Sequence, residues 1–186
     1  MEYKFVILPI VVGLLLPSVA IPWVVINLFG YHPFSPLSVL EEVSRESKSN
    51  EQMYLLDITA PFKITYTGII LSTILYTASI PAVVAALIWK KHRSILTLTV
   101  ALLCISSGSI WFYSIDSFRT NFAKIAASTG GLIAGEWKGQ ESAIVNRIIS
   151  IGMGQYLVIA AGILAAIAWL IPKIQSRSQL RPNMSL

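Results

Sequence analysis

A four-residue basic segment between two long apolar runs constrains the fold more than any other feature of the chain. The runs Ile64–Trp89 and Ser94–Tyr113 contain no charged residue, and each exceeds the roughly 18 residues that indicate a membrane span. Because so short a link joins them, the two spans are expected to form an antiparallel hairpin. Short basic loops stay in the cytoplasm, so Lys90, Lys91 and Arg93 determine the predicted topology.

Two further apolar runs extend this hairpin to four spans. Phe5–Leu28 is long enough to cross a membrane, although Ser18–Ala20 also has the small residues of a signal-peptide cleavage site. The last span is expected to belong to a helix that begins near Ser142 and that Pro172 ends. The prediction is an all-α membrane protein, a single domain over residues 1–186 that forms an antiparallel four-helix bundle. Its spans are expected at about 5–28, 64–89, 94–113 and 148–171.

The distribution of charge predicts how the chain is oriented. Only 12% of the residues are charged and the net charge is +5, whereas soluble domains are about 25% charged. Lys and Arg are densest in the short segments on the hairpin side, and every acidic residue except Glu2 lies in two connections of about 35 residues. Both termini, including the basic tail 173–186, are therefore expected in the cytoplasm of a cell-membrane protein. The excess positive charge suits lipid head groups, and no nucleic-acid partner is expected.

Both outer connections carry apolar residues at helical spacing. Ser38 and Glu41 fit a capping box that would begin a short amphipathic helix, with Leu40 and Val43 on its apolar side. The third span is expected to continue as a helix beyond the bilayer, with Phe118 and Phe122 along one face. Exposed apolar stripes need cover. The predicted outer docking surface therefore comprises Leu40, Val43, Phe118 and Phe122, covered either by a partner protein or by the other loop of the same molecule.

Small residues recur four positions apart in the second and fourth spans, a spacing that lets two helix backbones approach closely. The predicted helix-packing residues are Gly68, Ser72, Ala82, Ala86, Gly162 and Ala166.

The spans contain hydroxyl and amide groups but no ionisable carboxylate or base, which argues against an ion-coupled transporter. The polar candidates are Tyr76, Ser106, Ser109, Tyr113 and Gln155. These groups either form hydrogen bonds between helices or line a pore.

No pattern in the sequence indicates catalysis, a cofactor or a metal. His32 and His92 are expected on opposite sides of the membrane, and the only cysteine, Cys104, lies within a span. A metal site needs several such ligands close together. The chain is therefore expected to be non-catalytic, with no catalytic, cofactor-binding or metal-binding residue.

Four spans, two inner termini, two outer loops and a short inner turn together resemble the layout of the claudin-like tetraspan proteins. The first-loop tryptophan and two cysteines of that family are absent, since Cys104 is the only cysteine. The resemblance concerns topology and implies no function. The predicted function is a multi-pass membrane subunit that packs in the lipid bilayer with other membrane proteins, or with itself, as an accessory component. The alternative is a homo-oligomeric pore for a small solute, lined by Ser, Thr and Tyr.

Overall fold

The computed structural model describes residues 4–27, 31–38, 63–128 and 141–179, and the chain is mostly helical. The helices in these residues are α1 (Lys4–Ser18), α2 (Lys63–Ile88), α3 (Arg93–Ser128), α4 (Glu141–Ile148) and α5 (Met153–Gln179), and residues 36–38 are also helical. A 3-10 turn over Lys90–His92 joins α2 to α3. Three short strands are β1 (Val24–Ile26), β2 (His32–Phe34) and β3 (Ile149–Ile151).

Within the described residues, three helical stretches are long and apolar enough to cross a membrane. They are Thr67–Ile88 in α2, Lys90–Lys124 with α3, and Met153–Pro172 in α5. The apolar part of α1, Val6–Ser18, is shorter. The three longer helices support the prediction of a membrane protein.

The long helices pack in a closed order. α2 lies along α3, α3 along α5, and α5 along α1, while α1 also contacts α2. Their interior is made of buried apolar side chains, among them Leu8, Val83, Cys104 and Val158. Large apolar side chains such as Leu71, Leu102 and Ile163 face outward, as expected for helices surrounded by lipid.

The three strands form a small antiparallel sheet in the order β2-β1-β3. Val24 of β1 lies opposite both Phe34 and Ile151. β1 follows α1 after a short turn, and β3 comes directly before α5. The sheet therefore joins the ends of two helices that already pack together.

The first apolar run differs from its prediction. A continuous helix to Leu28 was expected, but α1 ends at Ser18 and residues 24–26 are extended. Pro17 and Pro22 lack a backbone donor, and a residue before proline is biased toward extended conformations. The β-branched residues Val24, Val25 and Ile26 then favour a strand.

The last apolar run also differs. The helix expected from Ser142 to Ile171 is divided into α4 and α5, because Ile149–Ile151 pairs with β1. At its far end α5 continues through Pro172 to Gln179, whereas Pro172 was expected to stop it. A proline removes only one backbone donor, and the remaining bonds of this long helix continue past it.

Two predictions concern the outer connections. The prediction that the third helix continues past Tyr113 is confirmed, since α3 reaches Ser128, and the place of this part beyond the bilayer stays a prediction. The capping prediction at Ser38 is wrong. The backbone N–H of Ser38 donates to Oγ of Ser35, and the N–H of Ser35 donates to Oγ of Ser38. Ser35 is therefore the N-terminal capping residue of the helical residues 36–38. Leu40 and Val43 lie outside the described residues.

Candidate functional site

The most distinctive part of the interior is an aromatic cluster that Trp23 forms between the sheet and the helices. The Trp23 ring meets Tyr76 of α2 at 5.0 Å and Trp111 of α3 at 4.8 Å, both in edge-to-face geometry. All three side chains are fully buried. Aromatic pairs in this geometry contribute about 0.5–1.5 kcal/mol beyond their buried area. Trp23 therefore links the chain that follows α1 to both α2 and α3.

This cluster also supplies hydrogen-bond donors to the carbonyl groups at the end of α1. The last carbonyl groups of a helix have no partner within the helix, and here side chains supply one. The hydroxyl of Tyr76 donates to the Leu15 carbonyl and lies 2.8 Å from Oγ of Ser18. The indole Nε1 of Trp23 donates to the Ser18 carbonyl at 2.8 Å. The end of α1 is thus fixed by hydrogen bonds from α2 and from its own following turn.

The beginning of α5 is held by the same turn. The N–H of Gly152 donates to the Trp23 carbonyl at 2.7 Å, and the N–H of Gly154 donates to the Pro22 carbonyl at 3.0 Å. Both positions need glycine because the segment before β1 lies so close to them. A Cβ on Gly152 would lie 2.0 Å from the Pro22 oxygen, and one on Gly154 would lie 2.3 Å from Cδ1 of Trp23.

Hydroxyl groups join α2 to α3. Oγ of Ser72 donates to the Ser107 carbonyl at 2.7 Å, and Oγ of Ser107 donates to the Ser72 carbonyl at 2.9 Å. One turn away, a Cβ on Gly68 would lie 2.0 Å from Oγ of Ser114. This close approach places the backbones near enough for serine side chains to reach across.

α3 and α5 are joined by an amide and by small residues. Nε2 of Gln155 donates to the Gly108 carbonyl at 3.0 Å. A Cβ on Gly162 would lie 2.9 Å from Cγ1 of Ile105 and 3.0 Å from Cβ of Cys104. Two buried polar atoms have no hydrogen-bond partner in the described part of the chain: Oε1 of Gln155 and Nε1 of Trp111.

The predicted packing residues lie at these contacts or against the core. Gly68, Ser72 and Gly162 take part in the contacts given above. Ala86 is fully buried. Ala82 and Ala166 are partly buried against the core.

The predicted polar residues do not come together. Tyr76 and Gln155 are buried in the interior, whereas Ser106, Ser109 and Tyr113 are exposed on the outer face of α3. The buried hydroxyls of α3 belong instead to Thr97, Ser107 and Ser114. The five residues therefore do not form one polar lining inside this chain.

The basic turn has a second role that was not predicted from the sequence. Lys90 and Lys91 are exposed, but Arg93 is buried. Its Nε donates to the Ala86 carbonyl at 3.1 Å and its Nη2 to the Leu87 carbonyl at 3.3 Å. A cation at the end of a helix also interacts favourably with the helix dipole. Arg93 thus caps α2, and its place directly after a helix and a tight turn was the signal for this.

The C-terminal part of α3, after Tyr113, is partly covered by other described parts of the molecule. The rings of Phe118 and Phe122 stack at 6.2 Å and are packed against the core. Between them along the chain, Nε of Arg119 donates to the Ile149 carbonyl of β3 at 3.1 Å. The C-terminal part of α3 therefore supports the sheet.

The described residues contain no group of three or more His, Cys, Asp or Glu side chains that could hold a metal ion. No protein-family model, curated protein or solved structure matches the chain. The fold and the site define a helical protein with three helices able to cross a membrane and a buried aromatic cluster beneath a small sheet.

Proposed function

We propose that this protein is a non-catalytic multi-pass subunit of the cell membrane, which acts by packing with other membrane proteins. In this proposal α1 is the fourth helix of an antiparallel bundle, and both termini are cytoplasmic. The packing of α1 against α5 and α2 supports the bundle. The exposed Lys90 and Lys91 at the turn support the orientation.

The observation that carries the proposal is that polar side chains of the described interior form hydrogen bonds between helices. Ser72 and Ser107 bond to each other's backbone, and Tyr76 bonds to the end of α1. A passage for a solute needs polar groups that remain available along a lumen. Polar groups engaged in this way hold helices together, which is what a packing subunit requires.

Exposed aromatic side chains suggest where the membrane boundaries lie. Trp89 is exposed beside the basic turn, while Tyr113 is exposed near the middle of α3 and Tyr156 near the beginning of α5. Aromatic residues favour the membrane–water interfaces. From Arg93 to Tyr113 the helix rises about 30 Å at 1.5 Å per residue, which matches the hydrocarbon thickness. This boundary would put the sheet at the outer surface.

Purification in mild detergent from the native membrane, followed by intact-mass analysis, tests the proposal. Foreign subunits present in fixed proportion are the expected result. A protein that purifies alone as a monomer would contradict it.

Orientation is tested separately. In a Cys104→Ser background, a single cysteine replacing Gln140 should react with a membrane-impermeant thiol reagent in intact cells, and one replacing Lys91 should not. Labelling at Lys91 would reverse the proposed orientation.

The second candidate is a homo-oligomeric pore for a small solute. The exposed hydroxyls of Ser106, Ser109 and Tyr113 favour it, since such groups would line a channel between several copies. A ring of identical chains in the mass analysis would select this candidate over the first.

A further inference from the structure

One outward face of α3 is polar, although the helix passes through an apolar span. Its residues are Ser106, Ser109, Tyr113, Asp116 and Thr120, all of them exposed. Their alternating spacing of three and four residues keeps them on one side of a helix. We refer to these five residues as the α3 stripe.

The hydroxyls of the α3 stripe differ from those of Thr77 and Thr99, two other threonines on the outside of the spans. Thr77 donates to the Thr73 carbonyl at 2.8 Å, and Thr99 donates to the Ile95 carbonyl at 3.1 Å. In both bonds the hydroxyl donates to a carbonyl of its own helix. By contrast, Ser106, Ser109 and Tyr113 make no hydrogen bond with any part of the chain that the structure describes. A polar group without a partner is unfavourable in lipid, so this face is better suited to another helix.

The membrane depth of the α3 stripe gives it two chemically different parts. With the outer boundary near Tyr113, Ser109 lies about 6 Å and Ser106 about 10 Å inside it, at 1.5 Å per residue. Both side chains are small, so a second helix can approach closely. Asp116 lies about 4.5 Å on the other side of the boundary, at the level of the lipid head groups.

Asp116 carries a charge that no described residue of the chain pairs with. The carboxylate forms no ion pair among the described residues. Arg119, three positions further on, directs its guanidinium to the Ile149 carbonyl instead. Among the described residues, the α3 stripe therefore combines hydroxyls without a hydrogen-bond partner, placed inside the membrane, with one negative charge without an ion pair, placed at its surface.

We infer that the α3 stripe binds one membrane-spanning helix of a different protein. That helix carries small or hydrogen-bonding residues opposite Ser106 and Ser109, and a lysine or arginine opposite Asp116. The inference rests on the proposed function and specifies its partner.

A second copy of the chain fits this face less well. Copies inserted in the same orientation would place their α3 helices parallel, related by a two-fold axis along the membrane normal. Asp116 would then face Asp116 of the other copy, and like charges repel. Charge complementarity therefore favours a different protein with a basic residue at this level.

Photo-crosslinking in the native membrane tests the inference on the full chain. A benzoylphenylalanine replaces Ser109 in one variant and Ile74, an exposed residue of α2, in the control. The expected adduct forms only from position 109. Sequencing of the cross-linked peptide should find a membrane-spanning segment of another protein with Lys or Arg about one to two turns toward its outer end. Asp116→Lys should lower the adduct yield at least five-fold, and Thr77→Leu should leave it unchanged.

Each contrary result points to a different error. Adducts between two copies of this chain, or with lipid alone, would overturn the inference about the α3 stripe. A foreign subunit captured from position 74 but not from 109 would also overturn it, while leaving the proposed function in place. If neither position captures a protein and purification yields no foreign subunit, the proposed function fails as well.

Discussion

Gly154→Ala is the substitution that tests most directly whether Trp23 holds the sheet to the helices. The added Cβ would lie 2.3 Å from Cδ1 of Trp23, 2.5 Å from the Ile21 oxygen and 2.7 Å from Nε1 of Trp23. Real Cβ contacts are not this short, so atoms must move. Trp23 cannot simply rotate away, because Tyr76 and Trp111 contact its ring. The backbone oxygen of Ile21 can move only if the turn before β1 moves.

The magnitude of the effect follows from these two ways of relieving the clash. Overpacking a close-packed interior typically costs about 1–3 kcal/mol. Expelling the indole altogether would approach the cost of removing a buried tryptophan, about 3–5 kcal/mol. We expect a loss of about 3 kcal/mol in the free energy of unfolding. For a chain of this size, that corresponds to a fall in melting temperature of about 6–12 °C.

The chain carries its own reporter for the assay. Cys104 is the only cysteine and is fully buried, so a thiol-reactive fluorogenic dye should react as the bundle opens on heating in detergent. Gly13→Ala is the matched control, because a Cβ there would meet no atom within 4 Å. Alanine in place of glycine in a helix should raise stability by up to about 1 kcal/mol. If Gly154→Ala melts at the same temperature as Gly13→Ala, the tight contact with Trp23 does not exist in the protein.

Three further experiments test other contacts by the same thermal assay, except where Cys104 itself is affected. Replacing Arg93 with Gln should lower stability by about 1–3 kcal/mol, since carbonyls at the end of α2 lose a charged donor; an unchanged melting temperature would mean that Arg93 does not cap α2. Gly162→Leu should separate α3 from α5 and lower the melting temperature, measured by circular dichroism because the leucine would press on Cys104; no change would place Gly162 against lipid. Ser72→Ala and Ser107→Ala should show a coupling of about 0.6–1.7 kcal/mol in a double-mutant cycle, and additive effects would show that the two hydroxyls do not interact.

The long helices could be predicted from the sequence because their signal is local. A run of apolar residues such as Ile64–Trp89 identifies a span without reference to the rest of the chain. The strands have no such signal. β1 and β3 are three residues each. They become strands because they pair with each other, and the paired residues Val25 and Ser150 are more than 120 positions apart in the sequence. The alternation of Ile149, Ser150 and Ile151 before Gly152 was the one local hint of a strand.

The inward face of a membrane helix is also hard to predict from the sequence. In a soluble protein the apolar side of a helix faces the core, but lipid is as apolar as the core. Ser106 and Ser107 are adjacent in the sequence, yet one is exposed and the other buried. The choice depends on whether each can reach the backbone of α2. The five polar candidates were therefore divided between two environments that hydropathy does not distinguish.

The buried cluster and the exposed face of α3 depend on each other. Ser107, Gly108 and Trp111 contact α2, α5 and Trp23 respectively, and these contacts fix how α3 is rotated about its own axis. A helical turn that directs these three residues inward must direct Ser106, Ser109 and Tyr113 outward. Loss of Trp23 would remove one of these three contacts and hold the rotation of α3 less firmly. The aromatic cluster therefore helps to keep the proposed binding face directed outward before a partner arrives.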